Sequence, residues 1–128
     1  MKILLDTCTF LWLVLDAPEL TVNARTIFSD SDNHVYLSAV SVWEIAVKNA
    51  LGKLTIPSPA DSFIREQRLR HEIDELPLDE SSVLHLPKLP NLHRDPFDRM
   101  LVCQAVNYDM LILTPDPIIR KYPVRVIW

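Results

Sequence analysis

The 128-residue sequence predicts an α/β fold: a central, mostly parallel sheet of about five strands with helices on both faces. Two observations predict it. Short apolar runs of strand length alternate with longer segments whose apolar residues recur at helical spacing. The composition is 48% hydrophobic with no low-complexity tract, linker or internal repeat, so residues 1–128 are expected to form one domain around a real core.

The elements follow in order. "KILL" at 2–5 reads as a buried strand ending at Asp6, and "TFLWLVLDA" as the helix after it. A second helix is expected over 21–30 with Thr21 as its cap. "HVYLSAV" at 34–40 is the second strand. "SVWEIAVKNALGKL" is the clearest amphipathic helix, with Val40, Trp43, Val47, Ala50, Leu51 and Leu54 at helical spacing and Gly52 near its end. "IPSPADSFIREQRLR" takes Ser58 and Pro59 as cap and first turn and carries Arg65, Arg68 and Arg70 on a solvated face. "HEIDELP" alternates like an edge strand, and 79–86 is a short helix closed by Pro87. "PFDRMLVCQAVNYD" is helix, "MLIL" at 110–113 strand, and "VRVIW" at 124–128 the last strand.

Composition removes several functions. A net charge of −4 argues against coating nucleic acid by bulk electrostatics, although a locally acidic active site is compatible with a nuclease. Gly52 is the one glycine, so neither a G-x-G-x-x-G fingerprint nor a P-loop is present. Cys8 and Cys103 lack C-x-x-C spacing and are expected as buried free thiols. Asp6 interrupts the apolar start, the run from Phe10 to Leu15 is far short of a membrane span, and no small-residue cleavage site follows. A cytoplasmic protein without a membrane segment is expected.

In an open parallel sheet, ligands bind beyond the carboxyl ends of the strands. Asp6 ends the first strand, Asp116 follows the fourth, Glu44 opens the helix after the second, and Asp95 and Asp98 open the helix feeding the fourth. Most of these acids also have a local structural use. Ser41 and Glu44 fit a capping box, Glu44 can pair with Lys48, and Asp95-Pro96 and Asp116-Pro117 fit a cap and first turn. Asp6 is harder to account for this way, because aspartate is depleted in strands. Capping, however, does not require convergence. Two carboxylates about 5 Å apart repel by roughly 3 kcal/mol at an effective dielectric constant of ~20. A hard divalent cation, Mg²⁺ or Mn²⁺, would offset that repulsion.

"ILLDT", "SVWEIAVK", "HRDPFDRMLVCQA" and "LILTPD" together resemble the PIN-domain ribonucleases, specifically the VapC-type toxins of toxin-antitoxin pairs, over nearly the whole chain. The resemblance implies a three-layer α/β/α PIN-like domain and a metal-dependent endoribonuclease. It implies Asp6, Glu44, Asp98 and Asp116 as catalytic, metal-holding acids, with Mg²⁺ as cofactor and Mn²⁺ as an alternative. Asp95 belongs to the "RDPFD" form of the motif and is expected to support the ion or serve as an alternate ligand. Pro115 stands where a polar or basic residue is expected and bears on how Asp116 is aimed. Such a site hydrolyses a phosphodiester with metal-activated water and needs no histidine base.

Other residues beside these acids have competing uses. Thr7, Ser38 and Thr114 either orient an acid or simply end strands and cap helices. Arg94 and Arg99 are candidate phosphate contacts, and His93 reads as a surface or hydrogen-bonding residue. Trp12, Trp43 and Trp128 read as core or interface anchors rather than base-stacking platforms. The resemblance also implies a homodimer and a small VapB-like antitoxin, for which Phe10, Leu11, Trp12 and Leu13 offer contacts if the core does not bury them. Two rivals remain. A phosphatase of the haloacid-dehalogenase type wants Asp at position 8, where Cys8 stands, and a receiver domain lacks its Asp and Lys. A catalytically silent PIN-like module that binds RNA or protein is the alternative from another class.

Overall fold

In the computed structural model, which describes residues 1–128, the chain runs β1 (Lys2–Leu5), α1 (Thr7–Val14), α2 (Val22–Ser29), β2 (His34–Ser38), α3 (Ala39–Ala50), α4 (Ala60–His71), β3 (Asp74–Leu76), α5 (Glu80–Val83), α6 (Pro96–Asn107), β4 (Leu111–Leu113) and β5 (Arg125–Ile127). Short 3₁₀ turns at Leu86–Lys88 and Ile119–Lys121 complete it. The five strands form one sheet in the order β3-β2-β1-β4-β5, and every pairing is parallel. Expected and observed elements agree in type and order, with ends that differ by a few residues.

The period of two in the strands builds the layers. Ile3 and Leu5 of β1 and Leu111 and Leu113 of β4 pack on one face with Phe10, Ile27, Phe63 and Ile64 from α1, α2 and α4. Leu4 and Ile112, the alternate residues, pack on the other face with Leu101, Val102 and Ala105 of α6 and with Ile119 and Tyr122. Strands buried on both faces read as unbroken apolar runs, which explains "KILL" and "MLIL". The result is three layers, α/β/α.

Two helix ends matter for the site. Ser38 is the last residue of β2 and also the N-cap of α3, its hydroxyl accepting from the Val40 N–H at 3.0 Å. The cap therefore lies three residues before the expected Ser41, and the Ser41–Glu44 capping box does not form. Ser41 and Glu44 are instead buried inside α3. At the other end of α3, Gly52 adopts φ +71°, the left-handed conformation that closes a helix most easily without a side chain.

The order of strands fixes where a ligand belongs. The chain moves from β1 outward through β2 to β3, then crosses back past β1 to lay β4 on its other side. Where the winding reverses, helices leave the sheet in opposite directions and open a crevice at the carboxyl ends of β1 and β4.

Candidate functional site

Register brings the first acid into place. Leu5 pairs with Leu113, so the next residues to leave the sheet, Asp6 and Thr114, emerge side by side. The Thr114 hydroxyl donates to one oxygen of Asp6, and the Thr9 N–H donates to the other at 2.8 Å. Asp6 is thus the N-cap of α1, a structural use that its place in an apolar run concealed, and it is buried.

Glu44 arrives by a different route. With α3 starting at Ala39, Glu44 lies in its second turn and faces α1. The Thr7 hydroxyl donates to Glu44 Oε1 at 2.6 Å and lies 3.0 Å from the Ser41 hydroxyl. The other carboxylate oxygen pairs with Lys48, one turn on. Glu44 caps nothing, which leaves its burial at 5% exposure without a helix-starting purpose.

Asp95 caps α6, accepting from the N–H groups of Phe97 at 2.9 Å and Asp98 at 3.4 Å, with Pro96 at the first helical position. Asp98, in the first turn, is left free of capping. Asp116 accepts from the Ile118 N–H at 2.7 Å, and its own N–H donates to the Thr114 hydroxyl at 3.1 Å. Pro115 does not turn it away: Asp116 Oδ2 and Asp98 Oδ2 each lie 3.2 Å from Nε2 of His93.

Asp6, Glu44, Asp95, Asp98 and Asp116 line one cleft of about 420 Å³, together with Lys48. Thr7, Cys8 and Trp12 lie on its wall. The electrostatics follow from this convergence. Burial, then the charges of Asp95, Asp6, Glu44 and Asp116, push the Asp98 carboxyl up to about 8. Burial raises Asp6 as well, against the opposing hydrogen bonds from Thr114 and Thr9. Although Cys8 as a whole is exposed, desolvation against the cleft wall and then Asp6, Glu44 and Asp98 drive its thiol up to about 11. Lys48 is raised chiefly by its hydrogen bond to Glu44. The cleft thus carries more carboxylate than its single lysine neutralises, and its oxygen donors suit a hard divalent cation.

Several expected placements change. Thr7 and Thr114 hold acids directly instead of merely ending strands, whereas Ser38 does cap a helix and also donates to buried Gln104. Arg94 is exposed, Arg99 has a buried Nε with no partner, and neither lines the cleft, where Lys48 is the cation. Cys103 is buried, but Cys8 is exposed because the first turn of α1 turns it toward the cleft. Phe10 and Leu13 are taken by the core, while Leu11 and Trp12 stay half-buried. Trp12 packs edge-on against Trp128 at 5.9 Å between ring centroids. His93 joins two acids, a role that only its closeness to "RDPFD" hinted at.

A family model described as PIN domain matches residues 3–124. "Ribonuclease VapC16" of Mycobacterium tuberculosis (strain ATCC 25618 / H37Rv) is 36% identical over 72 residues. That match spans 53% of this chain and 51% of the relative, about half of its length. Among solved structures, VapBC2 from Rickettsia felis, bound to a DNA fragment from its promoter, is similar with TM-score 0.74 at 12% identity, over 99% of this chain and 98% of that one. VapBC-1 from nontypeable Haemophilus influenzae is similar with TM-score 0.67 at 19% identity, over 99% and 97% of the two chains. These likenesses show the fold.

Proposed function

Because the chain belongs to the PIN-domain family, we propose that it is a metal-dependent endoribonuclease and the toxin of a toxin-antitoxin pair. One observation carries the reading: Asp6, Glu44, Asp98 and Asp116 line a single cleft in which Asp98 is pushed up to about 8 by burial and by its acidic neighbours. Capping accounts for Asp6, Asp95 and Asp116 singly. It accounts for neither Glu44 nor Asp98.

The donor set fits Mg²⁺ or Mn²⁺, since every acid offers hard oxygen and the charge present exceeds what Lys48 neutralises. Asp6, Glu44, Asp98 and Asp116 would hold the ion. When bound, such an ion supplies an activated water and stabilises the leaving oxygen in phosphodiester hydrolysis. The chain's own residues prepare that chemistry. Thr114 and Thr9 fix the orientation of Asp6, and Thr7 fixes Glu44. Lys48, half-exposed at the rim, is the cation of this cleft positioned to meet a phosphate.

The relative named a ribonuclease supports RNA as the substrate. The VapBC neighbours support a VapB-like partner, and the homodimer belongs to the same proposal. A surface suited to such contacts runs along α3, where Trp43, Ala46, Val47, Ala50 and Leu51 are all exposed at helical spacing. No helix is long and apolar enough to cross a membrane, and an RNA-cutting toxin would act in the cytoplasm.

The test is direct. Purified protein, freed of any partner, is expected to cut structured RNA with Mg²⁺ or Mn²⁺ and to stop when EDTA is added. Undiminished cleavage in EDTA would sink the metal mechanism, and RNA binding without cleavage would favour the silent module.

A further inference from the structure

The imidazole of His93 is held at more points than a loop histidine needs. Its backbone N–H donates to the hydroxyl of Tyr122 at 2.8 Å, and the neighbouring Leu92 N–H reaches the same oxygen at 3.3 Å. Tyr122 is buried at the C-cap of the 3₁₀ turn Ile119–Lys121, whose N-cap residue, Ile118, donates its N–H to Asp116. The ring's Nδ1 accepts from the Asp95 N–H at 3.1 Å. Its Nε2 lies 3.2 Å from both Asp98 Oδ2 and Asp116 Oδ2.

We propose that His93 is a positioning residue, a hydrogen-bond clamp that sets the spacing of Asp98 and Asp116, and not itself a metal ligand. The chemistry follows from the tautomer. An imidazole whose Nδ1 accepts a backbone N–H, as this one does from Asp95, presents its N–H at Nε2. That nitrogen then has no lone pair to offer an ion, even though the possible donor atoms of His93, Asp98 and Asp116 all lie within 4.8 Å of one another. It has instead an N–H to share between two carboxylates that otherwise repel. The acids come from separate elements, one from the start of α6 and one from the loop after β4. His93, tied to Asp95 on one side and through Tyr122 to the turn after Asp116 on the other, joins the two carboxylates by hydrogen bonds.

This inference rests on the reading of the acids as metal ligands, and its tests are made without RNA. Nitrogen-15 spectra of the metal-free protein are expected to show Nδ1 as the acceptor nitrogen and Nε2 as the N–H donor. Binding of Mn²⁺, followed by electron paramagnetic resonance, is expected to weaken by on the order of tenfold in His93→Ala, as loss of a group that orients ligands does. His93→Gln, whose amide N–H can stand where Nε2–H stood, is expected to recover most of the affinity, and His93→Asn, which reaches only to Nδ1, much less. Electron spin-echo envelope modulation of the Mn²⁺-loaded wild type is expected to show no directly bound imidazole nitrogen. A proton on Nδ1, a directly bound nitrogen, or unchanged Mn²⁺ affinity in His93→Ala would each overturn the clamp. If the wild type took up no Mn²⁺ at all, the metal reading would fail on its own, and the tautomer would still decide what the ring does.

Discussion

Thr114 donates its hydroxyl to Asp6 across the seam between the two central strands, and both residues are buried there. The same hydroxyl oxygen accepts from the Asp116 N–H, so one side chain serves two of the acids. Thr114→Val keeps the shape and removes both bonds. It is expected to cost about 1–3 kcal/mol in urea unfolding, because a buried carboxylate and a partly buried N–H lose a partner together. Thr114→Ser is expected to restore most of this.

Ionisation of Asp98 gives the metal-free protein a definite pH dependence. Its carboxyl is raised from the ordinary 3.8 to about 8, so the folded state holds a proton that the unfolded chain gives up. The stability linked to that proton is fully present below the unfolded value and is lost as pH rises through about 8. Asp6 is shifted in the same direction. The metal-free melting temperature is expected to fall as pH rises toward 8, and Asp98→Asn to flatten the slope.

An ion that binds only the folded protein reverses that trend. Millimolar Mn²⁺ or Mg²⁺ is expected to raise the melting temperature most at the alkaline end, where Asp98 is ionised and its neighbours repel it. Uptake near neutral pH is expected to release protons, measurable by calorimetry in buffers of different ionisation enthalpy. A melting curve indifferent to both ions at every pH would contradict a preformed site.

Amide substitutions separate charge from shape. Asn caps a helix about as well as Asp, so Asp6→Asn keeps the start of α1 and Asp95→Asn the start of α6. Asp6→Asn, Glu44→Gln and Asp98→Asn are each expected to lower RNA cleavage by orders of magnitude. Asp95→Asn is expected to do less harm than Asp98→Asn, because Asp95 spends its Oδ1 on the helix while Asp98 caps nothing. Metal-free stability in Asp98→Asn is expected to stay level or rise. The paired measurement is cleavage rate and metal-free melting temperature, and full activity in Asp98→Asn would reverse the division of roles.

The Ser38 hydroxyl donates to buried Gln104, whose amide donates to the Pro77 carbonyl at 3.1 Å. This ties α6 to the ends of β2 and β3. Gln104→Leu strands both partners and is expected to lower stability by about 1–3 kcal/mol in urea unfolding, with no effect on Mn²⁺ binding.

What was legible in the sequence depended on how local the cause was. Apolar runs such as "KILL" report their own burial, and the Asp95-Pro96 cap of α6 is written in adjacent residues. The start of α3 was misplaced because Ser38 and Ser41 are both competent caps, and only the end of β2 decides between them. That shift of three residues moved Glu44 from a capping role to an inward-facing one. His93 and Thr114 act through partners distant in sequence, and no spacing rule signals a contact set by strand register. Lys48 was legible as a partner of Glu44, but its place at the rim followed only from the packing of α3 against α1.

The strand order also governs when the cleft comes into being. β1 is made first, yet its neighbour β4 is the fourth strand along the chain, so the seam that seats Asp6 against Thr114 waits for nearly all of the sequence. Asp6 and Glu44 meet through the β1–β2 pairing, but Asp98 and Asp116 join them only after this long-range closure, whose entropy cost falls late in assembly. A chain still emerging during synthesis, or one cut before residue 114, carries the individual acids but no cleft, so whatever chemistry the cleft performs is withheld until the sheet is whole.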